Sequence, residues 1–186
     1  MTTAKPDPGR LVFVTLGTDH HPFDRLVQWV DAWLAGGGRE RARCLVQTGR
    51  SGIRPELAET IDFLAYSEME GAVREAAAVV THGGPGSIAL AVALGKRPLV
   101  VPRRKSLGEH VDDHQVVFAR RIASEGTIEL AEDEHQFQKG LDGLLAASTV
   151  AAGLSGAAPP LEAVSRLETL VEELFARPPR RRDGNR

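Results

Sequence analysis

The sequence predicts an α/β fold: a single Rossmann-like, doubly wound parallel sheet. Five short runs rich in β-branched and aliphatic residues recur along the chain, each followed by helix-like periodicity. The runs are continuously apolar rather than alternating, as expected of strands buried on both faces by crossover helices. The 186 residues, 42% of them hydrophobic, suit one well-buried domain, since domains typically hold about 100–150 residues.

In chain order the strand candidates are LVFVTLG at 11–17, CLVQTG at 44–49, AAVVTHG at 77–83, PLVVP at 98–102 and TIEL at 127–130. A weaker run, Ile61 to Ala65, follows the second. Between the first two strands, Phe23, Leu26, Val27, Val30 and Leu34 share one helical face, and Gly36-Gly37-Gly38 ends that helix. A second helix is expected from Met69 to Ala78, with Met69, Val73 and Ala76 inward. A third, Ser87 to Leu94, is apolar all round, as a helix packed deep against a sheet would be.

Residues 11–150 are therefore expected to form the domain, after a disordered stretch at 1–10. A linker at 151–160 leads to a helix at 161–176, carried by Leu161, Val164, Leu167, Leu170, Val171 and Leu174. The last ten residues, RPPRRRDGNR, hold five arginines and no apolar anchor and are expected to be a disordered basic tail.

With 23 basic against 25 acidic residues, no overall field draws nucleic acid, so affinity for phosphate has to be built locally. The lone Cys44 cannot form an internal disulfide and fits a reducing compartment, which makes the cytoplasm the expected location. No stretch of about 18 apolar residues spans a bilayer, and MTTAKPDPGR has no apolar core of the signal-peptide kind.

The chemistry concentrates in VVTHGGPGSIALAVALGKRPLVVP at 79–102. A strand runs into a helix there through His82, Gly83, Gly84, Gly86 and Ser87. Glycine lets a ligand approach the backbone, and a helix start near Pro85 offers free amides and the positive end of its dipole to an anion. The alternative is a tight turn with no ligand. Gly17-Thr18 closes the first strand with similar chemistry, and two such loops side by side at a switch point suit a diphosphate.

Other motifs fail. Gly84-Pro85-Gly86-Ser87-Ile88-Ala89 fits the dinucleotide fingerprint G-x-G-x-x-G/A only formally, because no acidic residue closes the next strand. Gly95-Lys96-Arg97 lacks the hydroxyl of a P-loop, and no G-x-S-x-G elbow is present. His110 and His114 stand four apart on a possible helix face, but HVDDH lacks the Glu of zinc proteases and a third ligand, so no metal site is expected.

LGT near the start, THGGPGSI, GKRPLVVPR and GEHVDDHQ at 108–115 together resemble the donor-binding, C-terminal half of family 28 glycosyltransferases, over about residues 11–145. The resemblance is greatest to stand-alone subunits of split GT-B UDP-sugar transferases, both of the dolichol-linked N-acetylglucosaminyltransferase type and of the bacterial exopolysaccharide glucuronosyltransferase type. It implies half of a GT-B enzyme, with a UDP-sugar as donor and no cofactor. A membrane-associated, acceptor-binding partner subunit would bring a lipid-linked glycan acceptor, leaving this chain cytoplasmic and peripheral to the membrane.

The resemblance places Gly17 and Thr18 at the diphosphate, and Gly83, Gly84, Gly86 and Ser87 at the donor's phosphates. It puts Asp112 and Gln115 of GEHVDDHQ on hydroxyls of the donor sugar, with Glu109, His110, Asp113 and His114 around them. Arg103, heading the basic run Arg103-Arg104-Lys105, would help stabilise the leaving group or meet a uronate carboxylate, unless the run is a solvated loop. The catalytic base is expected on the partner. Leu90 stands where relatives carry an acidic ribose-binding residue, which leaves open a non-catalytic nucleotide-sugar-binding scaffold of polysaccharide assembly.

Overall fold

A computed structural model describes residues 9–151 and Thr169. Residues 1–8 of the stretch expected to be disordered, and, apart from residue 151 and Thr169, the expected linker, helix and tail, lie outside the described residues. Six strands form one wholly parallel sheet: β1 (Leu11–Thr15), β2 (Arg43–Gln47), β3 (Glu59–Ile61), β4 (Ala78–His82), β5 (Leu99–Val101) and β6 (Glu129–Leu130). Their spatial order is β3-β2-β1-β4-β5-β6. The order reverses between β1 and β4, which pair from Val12 with Ala78 to Thr15 with Thr81, and the carboxyl ends of these two strands open the crevice where such sheets bind ligands.

The central strands are buried on both faces, which is why LVFVT and the first residues of AVVTH read as unbroken apolar runs. One core layer packs α1 (Asp24–Ala35) and α5 (Glu134–Ala151) on the face of Val12, Val14, Val46 and Val80. The opposite face is covered in two patches, one joining α2 (Tyr66–Glu75) and α3 (Pro85–Ala93) through Val73 and Leu90, the other joining α3 and α4 (His114–Ser124) through Ile88, Phe118 and Ile122.

Several boundaries depart from the periodicity. The weak run expected at 61–65 pairs two residues earlier, because Leu45, Val46 and Gln47 take Glu59, Thr60 and Ile61 as partners. Helix α2 begins at Tyr66 rather than Met69, where Glu68 accepts the free amide of Ala65 at 2.7 Å. It ends at Glu75, and Ala76 already has extended dihedrals that lead into β4. Helices α4 and α5 were expected only as helix-like stretches after the last two strand runs, without bounds. Trp33 of α1 is also buried, its indole donating to Asp142 of α5 at 2.8 Å.

Candidate functional site

Three loops meet beyond the carboxyl ends of β1, β4 and β5: residues 16–23, 83–84 and 102–113. Between the second and third lies a pocket of about 290 Å³ lined by Gly83, Pro85, His110, Asp112, His114, Gln115, Val117 and Phe118. Two helices start at its wall. Gly84 caps α3 with Pro85 as its first residue, and Asp113 caps α4. Their unpaired amides and dipole ends give the wall a positive bias suited to an anion.

Asp112 is held between two histidines. Its Oδ1 lies 3.2 Å from His110 Nδ1, its Oδ2 lies 2.8 Å from His114 Nδ1, and the His114 amide donates to Oδ1 at 3.0 Å. Burial alone would raise its carboxyl, but the hydrogen bonds from His114 and the two neighbouring imidazoles outweigh that and hold it below the usual range. His110 is thus a loop residue and His114 opens the helix, so they do not share a helical face as their spacing suggested; both turn to the carboxylate between them. Gln115 is mostly buried, and its Oε1 accepts the Arg103 amide at 3.2 Å. What it has left for a ligand is the amide Nε2.

The glycines of the two loops have partners within the chain. Gly17 has φ +83°, and a Cβ there would lie 2.7 Å from the His82 ring. A Cβ on Gly84 would collide with the same ring, and one on Gly83 would lie 2.8 Å from Gln115 Cβ. The His82 imidazole therefore occupies space that the bare loops suggested was kept for a ligand. Gly86, in the first turn of α3, is exposed and has nothing near its missing Cβ. Ser87 bonds the Gly84 carbonyl at 3.1 Å, and Thr18 is exposed at the β1 mouth. Burial, reinforced by the Arg103 charge, pushes the His82 imidazole down to about 4, so it is neutral at pH 7.

Within the basic run Lys105 is exposed, as in a solvated loop, whereas Arg103 turns inward. It is 1% exposed, neither a solvated loop residue nor an exposed cation for a uronate. Its Nη1 donates to the carbonyls of His21 (2.7 Å) and Glu109 (2.9 Å), and its Nη2 to that of Leu16 (2.7 Å), while its guanidinium lies 4.7 Å from the Phe23 ring centroid. Glu109, expected beside the donor, is likewise an internal tie. Its carboxylate accepts both Nε and Nη2 of Arg25 at 2.8 Å and the Arg104 amide at 2.9 Å, which anchors the 102–113 loop to α1. Asp113 accepts the Lys105 amide at 3.0 Å. Leu90 is buried with Leu11, Phe13 and Val73, away from the loops.

Five of the residues expected at the donor, Gly83, His110, Asp112, His114 and Gln115, thus line one pocket. The sequence that builds it also carries a family signature, matching the glycosyltransferase family 28 C-terminal domain over residues 11–168. This chain belongs to glycosyltransferase family 28. The match to this family 28 domain extends past the residue-145 limit drawn from the motifs.

Solved structures share its fold. The chain aligns over 91% of its length with 40% of a kitacinnamycin glycosyltransferase, at TM-score 0.55 and 18% identity. It aligns over 94% of its length with 42% of CalG4, the calicheamicin glycosyltransferase, at TM-score 0.55 and 16% identity. The solution structure of ALG13 is matched over 90% of this chain and 98% of that one, at TM-score 0.55 and 20% identity. The chain thus spans about two-fifths of the length of the first two proteins and nearly all of the third. No curated protein sequence matches this chain.

Sequence reasoning missed a further group at the β1 mouth. His21 Nδ1 lies 2.5 Å from Asp19 Oδ1, and the His20 and His21 rings are 3.9 Å apart. Burial alone would raise the Asp19 carboxyl, but hydrogen bonds from the His21 backbone and ring, with the Arg103 charge, hold it at about 2. The signal was the tripeptide Asp19-His20-His21 itself, directly after Gly17-Thr18.

Proposed function

We propose that this chain is the donor-binding subunit of a two-component glycosyltransferase. It would bind a UDP-sugar and pass a hexosyl group of the GlcNAc, Glc or GlcA class to a lipid-linked or polysaccharide acceptor, working with a membrane-associated partner. The observation that carries this reading is the pocket where the starts of α3 and α4 face Asp112 and Gln115. The helix N-termini suit the diphosphate, and the carboxylate and primary amide suit a sugar diol.

In this reading the acceptor hydroxyl attacks the anomeric carbon as the UDP oxygen departs, and the charge left on the phosphate is stabilised by backbone amides near Gly86 and Ser87. His82 is neutral and packed between Gly17 and Gly84, and Asp112 is ionised and shared by two imidazoles. The base that activates the acceptor is assigned to the partner.

Two further features support a partner. The fold of this chain aligns with 40% of the kitacinnamycin glycosyltransferase chain, which leaves the remainder of such an enzyme to be supplied elsewhere. In addition, the exposed large hydrophobic side chains among the described residues, Ile53, Phe63, Tyr66, Leu107, Val111 and Val117, all follow the carboxyl ends of strands, and Val117 lines the pocket. In this reading the partner would cover that end of the domain. No helix among the described residues is long and apolar enough to cross a membrane, so membrane attachment is assigned to the partner as well.

The test is calorimetric titration of the full chain with UDP, UDP-GlcNAc, UDP-glucose and UDP-glucuronate, followed by transfer assays with and without a co-purified membrane subunit. One donor should bind, and Asp112→Ala and Gln115→Ala should each weaken it about tenfold or more, as loss of a hydrogen bond involving a charged or buried group does. Absence of binding, or equal binding by both variants, refutes the site. Transfer at the same rate without any partner refutes the two-component arrangement, and binding without transfer in the complete complex favours the scaffold.

A further inference from the structure

Five of the six histidines of the chain stand at the carboxyl end of the sheet, and three of them surround Asp19. One ligand atom each from Asp19, His20 and His21 lie within 4.8 Å of one another. A fourth group arrives from a loop about ninety residues away in sequence, His110, with its Nε2 3.8 Å from Asp19 Oδ2. We infer that Asp19, His20, His21 and His110 form a site for one divalent transition-metal ion of the zinc class.

The second observation that points to a ligand is the orientation of His110. Its Nδ1 faces the Asp112 carboxylate at 3.2 Å, and its Nε2 faces Asp19. When Nδ1 carries the proton toward Asp112, the Nε2 lone pair is left for a metal, the carboxylate–histidine–metal arrangement that orients ligating imidazoles. Three imidazoles and one carboxylate form a borderline donor set that suits zinc, cobalt or nickel better than magnesium or calcium.

The distances allow closure. In a tetrahedron with arms of about 2.0–2.1 Å, ligand atoms sit about 3.3 Å apart. The Asp19 carboxylate oxygens lie 2.5 Å from His21 Nδ1, 3.8 Å from His20 Nδ1 and 3.8 Å from His110 Nε2, so each imidazole is within about an ångström of that spacing from Asp19, and closure requires His20 and His110 to draw in toward His21. The His20 side chain is 75% exposed and free to swing inward. Arg103, the nearest cation, has its terminal nitrogens committed to the carbonyls of Leu16, His21 and Glu109. The inference does not rest on donor binding, because none of these distances involves a nucleotide.

The experiment uses the full chain, stripped with a chelator and titrated with zinc chloride by calorimetry, and with cobalt chloride by visible absorption. The expected result is one ion per chain and the intense d–d bands of four-coordinate cobalt. His20→Ala, which removes an exposed side chain, and His110→Ala should each weaken zinc at least about tenfold. Asp112→Asn should weaken it by a similar factor through the orientation of His110, in line with the 10–100-fold cost of losing an outer partner. His135→Ala, at an exposed position of α5, should change nothing. No saturable uptake, or uptake unaltered by both His20→Ala and His110→Ala, overturns the assignment, and neither result bears on whether UDP-sugars bind.

Discussion

The buried Arg103 guanidinium donates at 2.7 Å to the main-chain carbonyl of Leu16, 87 residues earlier, and so ties the mouth of β1 to the loop that follows β5. The same group holds His21 and Glu109 through their carbonyls. Removing it would orphan three carbonyls at once, and each buried unsatisfied group costs about 1–3 kcal/mol. Arg103→Ala should therefore lower unfolding free energy by about 3 kcal/mol or more in urea titration, with Arg103→Lys intermediate because an ammonium lacks the planar fork. Wild-type stability in Arg103→Ala would show that the guanidinium is dispensable.

Gly17 and Gly86 separate packing from ligand approach. Gly17→Ala meets both a positive φ and the His82 ring and should cost about 1–3 kcal/mol. Combining it with His82→Ala should recover only the steric part, leaving a measurable coupling between the two positions. Gly86→Ala faces open space in a helix and should hold or raise stability by about 0.5–1 kcal/mol, while reducing UDP affinity if a phosphate rests on that turn. Thermal melts beside UDP titrations distinguish the two outcomes.

His82 makes stability depend on pH in a defined window. Its folded pKa of about 4 lies below the usual 6.5, so between these values the unfolded chain holds the extra proton. Its contribution is thus complete above pH 6.5 and is lost as pH falls toward 4, at a slope of up to about 1.4 kcal/mol per pH unit. Asp19, held near 2 against 3.8, acts only below pH 4. The His82→Asn variant should therefore show a shallower decline between pH 6.5 and 4 and an unchanged one below it. Urea unfolding at a series of pH values measures this, and parallel curves in the upper window would contradict it.

Cys44 should be inert in the folded chain. It is buried in β2, and burial first, then the charges of Asp31 and Glu59, push its thiol up to about 12. A disulfide reagent should label it only after denaturant is added. Rapid labelling of native protein would mean that β2 opens readily.

The strands were legible in the sequence because double-sided burial leaves unbroken aliphatic runs such as Val12 to Val14 and Val79 to Val80. Helix α4 was less so, since its short buried face of Phe118, Ala119 and Ile122 begins with the polar Gln115, and the site loop before it has no periodicity. Residues 108–115 were legible as a motif, and five expected positions share one pocket. What escaped was long-range. Nothing near Gly17 in sequence announces that a histidine 65 residues later will lie against it, and nothing in Arg103-Arg104-Lys105 distinguishes the arginine that turns inward. Such contacts exist only once β1 has paired with β4.

That pairing has a consequence for biosynthesis. Strand β1 is made before the other strands but sits between β2 and β4, and the groups that close its mouth, Arg103 and the 109–115 segment, are made more than eighty residues later. A nascent chain halted before Arg103 would carry its opening strand without the clasp that shapes the cavity. If the pocket takes the proposed donor, capture would have to wait until translation has passed the start of α4.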